Sequence, residues 1–132
     1  MLYSFWFLIG VVGALRLILY ANRFRKKSLT KLFGISLLVA AVIYVGFAII
    51  WGDSNWLAVE SLGVLFYGLF YWLAVRYSLL WLALGWSMHV IWDVGLHLLG
   101  PGHHVAPEWY AVACLSFDLV VAGYIVYRAR ID

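Results

Sequence analysis

The sequence predicts an all-α integral membrane protein that crosses the bilayer about five times. Three observations carry this. Of 132 residues, 67% are hydrophobic and 11% charged, whereas a soluble domain keeps roughly a quarter of its residues charged to wet its surface. Five apolar stretches each approach the ~20 residues a helix needs to span hydrocarbon. They lack the strict alternation over about ten residues that marks membrane β-strands.

The spans are expected at about 2–20, 32–51, 56–75, 79–99 and 110–127, forming one domain over 1–132 with no soluble linker or repeat. Span one has no basic segment before it; its positive charge follows the apolar run. That order suits a retained helix and not a cleaved secretory signal. Span two begins after a basic connection of Arg23, Arg25, Lys26, Lys27 and Lys31. Spans three and four are joined at Arg76-Tyr77-Ser78, short enough to impose an antiparallel hairpin. Arg128 and Arg130 follow span five, and Arg16 lies one turn from the end of span one, where it can snorkel. The connections at 52–55 and 100–108 hold no Lys or Arg. Positive charge is retained on the cytoplasmic side, so the N-terminus is expected outside and the C-terminus inside. Trp51, Trp56 and Trp109 then fall at the outer interface, where indole is favoured.

Functional candidates are the polar groups that a membrane disfavours. Glu60, Asp93 and Asp118 lie inside spans, together with His89 and His97. A carboxylate at mid-helix costs roughly 2.5–3.5 kcal/mol on insertion, so each demands compensation. Counting about 1.5 Å per residue from the outer ends puts Glu60, Asp93 and Cys114 roughly 6–9 Å deep. The same count puts His89 and Asp118 roughly 12–15 Å deep and His97 near the surface. His89, Asp93 and His97 repeat at four-residue spacing and share a helix face, but the two histidines stand roughly 12 Å apart along the axis. This pattern suits a metal near Asp93 with ligands from other helices, two metals, or a proton-passing ladder. Imidazole with carboxylate favours zinc or iron over calcium or magnesium. His103 and His104, in the Gly100-Pro101-Gly102 connection, are placed to close over the top.

Blander readings stand beside these. Asp93 with a histidine can be a buried pair that fixes helix packing, and Glu60 a protonated carboxyl bonded to a tyrosine. His103 and His104 can be ordinary loop residues. Cys114, the single cysteine, reads as a small packing residue. Gly10 and Gly13, or Gly63 and Gly68, read as sites of close helix approach. The basic connection also suits anionic lipid. No phosphate loop, nucleophile elbow or nucleic-acid surface is present.

The run Gly85-Trp86-Ser87-Met88-His89-Val90-Ile91-Trp92-Asp93, followed by His97, Pro107, Cys114 and Asp118, resembles the family catalogued as domain of unknown function 6010. Those are small bacterial multi-pass membrane proteins. The resemblance covers roughly the C-terminal 75 residues. It implies that Glu60, His89, Asp93, His97 and Asp118 form one site in the plasma (inner) membrane. One family histidine falls on Leu96, so a site needing both members of that pair would draw on His103 or His104.

The leading expectation is a membrane-embedded, metal-dependent enzyme acting on a lipid or hydrophobic small molecule. Glu60, Asp93 and Asp118 would handle protons, and the metal ligands would come from His89, Asp93, His97, Glu60, Asp118, His103 and His104. Its alternatives are a small proton-coupled transporter and an accessory subunit of a larger membrane complex. A homo-oligomer is compatible with each.

Overall fold

The computed structural model describes residues 2–131. Those residues form α1 (Leu2–Ala21), α2 (Lys26–Trp51), α3 (Ser54–Arg76), α4 (Leu80–Trp92) with a π-helical continuation (Asp93–Leu98), and α5 (Glu108–Ile131). Four of these, α1, α2, α3 and α5, are long and apolar enough to cross a membrane. The fourth expected crossing is present as 13 α-helical residues continued by six in a π-helix.

That continuation aligns the site. In an α-helix a four-residue step overshoots one turn, so His89 to Asp93 drifts around the axis. A π-turn bonds i to i+5 and holds more residues per turn. The step from Asp93 to His97 therefore falls short and reverses the drift. The Leu99 amide donates to the Val94 carbonyl at 2.9 Å, five residues back, and the Gly102 amide to Leu96 at 2.7 Å. The connection from Leu99 is thereby drawn back over the helix end.

Other boundaries differ from expectation for a physical reason. Helix α2 begins at Lys26, so Lys26, Lys27 and Lys31 lie on its first turns and not in a loop. Long basic side chains let a helix run past the hydrocarbon into the headgroup layer. The link between α2 and α3 is only Gly52 and Asp53. There the Asp53 carboxylate caps α3 by accepting from the Trp56 amide at 3.0 Å, satisfying one of the free N–H groups of a helix start.

Packing runs α1 on α5, α5 on α4, α4 on α3 and α3 on α2, with α2 also touching α4. The helices thus form an open ring around α4, parted between α1 and α2. Glycine sets the closest joint: a Cβ on Gly10 would lie 2.1 Å from the Ala113 carbonyl oxygen of α5. Ser116 of α5 donates to the Phe7 carbonyl of α1 at 2.8 Å, and Tyr3 is hydrogen-bonded to Glu108. A Cβ on Gly63 would meet the Trp92 ring at 2.9 Å, whereas Gly13 and Gly68 leave ordinary contact distances. At the basic end, Arg128 is buried and donates to the Phe24 carbonyl at 2.8 Å and to the Tyr124 hydroxyl at 2.7 Å. A cation at the carbonyl end of α1 complements its dipole. Large apolar side chains, among them Leu8, Ile49, Leu65 and Ile91, cover the outside. Such a surface needs lipid around it.

Candidate functional site

All five intramembrane polar residues are buried: Glu60, His89, Asp93, His97 and Asp118 are each no more than 1% exposed. They come from three helices, with α4 and its π-turn supplying the middle three.

Two groups form. In the first, His89 Nδ1 lies 2.7 Å from Asp118 Oδ2 and 3.4 Å from Asp93 Oδ2. Each of these three residues offers a ligand atom within 4.8 Å of the others. In the second, His97 Nε2 lies 2.8 Å from Glu60 Oε1. The Trp92 indole N–H donates to the other Glu60 oxygen at 3.0 Å, and His97 Nδ1 lies 3.0 Å from the Gly102 carbonyl oxygen. A carbonyl only accepts, so Nδ1 carries a proton and Nε2 faces Glu60. This arrangement orients metal-bound imidazoles, fixing the tautomer and leaving the far nitrogen free to ligate.

Tyr44 of α2 joins the groups. Its hydroxyl donates to Asp93 Oδ1 at 2.5 Å, and its ring stacks on His97 with centroids 4.4 Å apart and planes 10° from parallel. The Tyr67 ring lies 5.1 Å from His89, and Trp86 lies 6.4 Å from it. Among the described residues, the buried side-chain polar atoms without a hydrogen-bond partner are Glu60 Oε1, Tyr67 Oη, Trp86 Nε1, His89 Nε2, Asp93 Oδ2, His97 Nε2 and Asp118 Oδ1. All seven belong to this cluster. An unsatisfied buried polar atom costs about 1–3 kcal/mol, so concentrating seven of them in one place marks a built site. Glu60 Oε1 and His97 Nε2 are both in that set despite standing 2.8 Å apart. At that distance a proton or a metal ion between them would pair both atoms.

The sequence-based depth of His97 needs correction. It is wholly buried, because the connection after Leu99 folds over it and supplies the Gly102 carbonyl. His103 and His104 are exposed and stand apart from the buried set; the His104 ring packs edge-on to Trp56 at 5.9 Å. Leu96, where a family histidine was expected, is half-buried and lends its carbonyl to the Gly102 amide. Cys114 is half-buried on the side of α5 that faces the gap between α1 and α2.

Tyr44, Trp92 and the Gly102 carbonyl were not anticipated. For Tyr44 a signal existed: it sits seven residues from the end of α2, roughly 10 Å inside by helical rise, well below the interface where tyrosine is favoured.

The gap between α1 and α2 is an apolar groove of about 460 Å³, walled by residues such as Ile9, Gly13, Val39 and Ile43. Asp118 and Trp86 lie along it, so one edge of the buried cluster borders a cavity that opens toward lipid.

No curated protein and no solved structure matches the chain. A family model matches residues 5–131, extending the likeness from the C-terminal helices through α1 and α2. The chain therefore belongs to the family of unknown function DUF6010.

Proposed function

We propose that this protein is a membrane-embedded, metal-dependent enzyme acting on a lipid or other hydrophobic small molecule. The supporting observation is the convergence of two imidazoles and three carboxylates, all buried, with their unpaired atoms gathered in one cluster. His89, Asp93 and Asp118 would hold one ion, and Glu60 with His97 stand ready to extend or complete its coordination. The nitrogen–oxygen donor set fits zinc or iron. A bound cation would offset the carboxylates and supply Lewis-acid activation of a substrate oxygen or water.

The residues' own work can be assigned. Gly102 fixes the tautomer of His97, Trp92 orients Glu60, and Tyr44 orients Asp93. Asp118, touching both His89 and the lateral groove, is the ligand placed nearest to anything arriving from the bilayer. Basic residues gathered at one end support N-outside, C-cytoplasmic insertion in a bacterial inner membrane, with the site toward the outer leaflet. His103 and His104 would act, if at all, at the rim.

Elemental analysis of the detergent-purified protein, beside an Asp93→Ala variant, tests this. Near-stoichiometric zinc or iron, lost in the variant, is expected. Metal-free protein after reconstitution with both ions would sink the proposal. It would favour instead a proton-coupled transporter, a reading that has its own support in the succession from Asp118 through His89 and Asp93 to Tyr44.

A further inference from the structure

The groove between α1 and α2 is apolar but is backed by two buried polar side chains, Asp118 and Trp86. Its walls are aliphatic and its volume, about 460 Å³, falls in the roughly 300–1,000 Å³ range of small-molecule sites. Two residues along it carry buried polar atoms without partners: Asp118 Oδ1, which accepts, and Trp86 Nε1, which donates. Both side chains are 1% exposed. Of the two hydroxyls beside the groove, Ser36 is spent on the Leu32 carbonyl at 2.7 Å and Tyr110 is hydrogen-bonded to Cys114.

We infer that this groove binds a single-chain amphiphile with an uncharged hydroxyl head, entering sideways from the bilayer. The selection follows from the hydrogen-bond inventory. A hydroxyl has one donor and two lone pairs, so it can donate to Asp118 Oδ1 and accept from the Trp86 N–H together. An ammonium has no lone pair for Trp86. A carboxylate has no proton for Asp118 and meets its charge at low dielectric. The apolar walls take the chain, for which the surrounding lipid is the natural source. This deepens the enzyme reading by naming its substrate class, and it rests on that reading only for the bilayer as solvent.

Cys114 lines the same groove and is the single cysteine, so its alkylation reports occupancy without any activity assay. The full chain in nanodiscs would be treated with an N-alkyl maleimide that partitions into lipid, and labelling followed by intact mass. Dodecanol, dodecylammonium and dodecanoate would be compared as protectants, with metal content read on the same samples before and after chelation. Dodecanol is expected to slow labelling roughly tenfold at about ten times its dissociation constant, and the two charged amphiphiles to do so far less. Gly13→Leu should abolish the difference. A Cβ there meets only the Phe117 ring, at an ordinary contact distance of 3.6 Å, and the rest of the leucine extends from a wall of the groove; Gly13→Ala, which adds that Cβ alone, controls for folding. Equal protection by all three heads, or Cys114 unreactive from the bilayer, overturns the inference. Because metal is read on the same samples, head-selective protection in protein that holds no metal even after reconstitution with zinc and iron would count against the enzyme reading alone.

Discussion

Replacing Glu60 by glutamine separates a metal-binding pair from a merely buried one. In the wild type, His97 Nε2 and Glu60 Oε1 confront each other at 2.8 Å, with the Nδ1–H of His97 committed to Gly102. The state that a metal would bind carries lone pairs on both, and without a cation that state is a conflict between acceptors. Glutamine resolves it: its amide N–H can donate to Nε2 while its carbonyl keeps the Trp92 bond, which measures 3.0 Å in the wild type. The gain is one net hydrogen bond, about 0.5–1.5 kcal/mol. With metal the sign reverses. A ligand present at one hundred times its dissociation constant stabilises by about 2.7 kcal/mol. Weakening affinity 10- to 100-fold, the effect of losing even an outer-sphere partner, cuts that to roughly 1.4–0.4 kcal/mol. Thermal or denaturant melts of both proteins, with zinc and with chelator, should therefore cross. The wild type is the more stable with zinc, and Glu60→Gln the more stable without. If chelation leaves the wild-type melt unmoved while the variant is the more stable under both conditions, the pair is not a metal site.

Two further substitutions probe the frame. Tyr44→Phe keeps the ring that stacks on His97 but removes the 2.5 Å bond to Asp93; metal affinity, read by competition with a chromophoric chelator, should fall about 10- to 100-fold with the fold retained. Gly10→Ala puts a methyl 2.1 Å from a backbone carbonyl of α5, where no rotamer change gives relief, and should cost at least about 1–3 kcal/mol in unfolding; Gly123→Ala, which meets nothing within 4 Å, should stay within about 0.5 kcal/mol.

Much of this architecture is legible in the chain because the bilayer is a strict solvent. Each long apolar run becomes a helix, and each polar residue inside one must face protein. Hence Glu60, His89, Asp93, His97 and Asp118 could be singled out as ionisable groups inside spans, and all five are buried. Counting along a helix does not reveal what covers its end. His97 is wholly buried because a loop folds back and the Gly102 carbonyl accepts from its ring. The π-turn over Asp93–Leu98 answers to the tertiary demand of buried side chains, which no local propensity encodes. Lys26 and Lys27 were assigned to a loop by polarity, although a helix readily carries such residues beyond the hydrocarbon. The lateral groove was hidden for a different reason: which of two apolar helices fails to touch its sequence neighbour depends on pairing, and α1 pairs with α5 instead of α2.

That pairing has a consequence for biogenesis. Helix α1 is synthesised before α2 to α5, yet the side chains that donate to its Phe7 and Ala21 carbonyls, Ser116 and Arg128, lie more than a hundred residues on in sequence. Until α5 emerges, α1 must wait in the bilayer with its glycine face bare, held only by the tether at 22–25. Asp118 arrives on that same last helix. Docking of the first helix and completion of the His89–Asp93–Asp118 set are thus one event, and a partly inserted chain leaves that buried polar group unfinished.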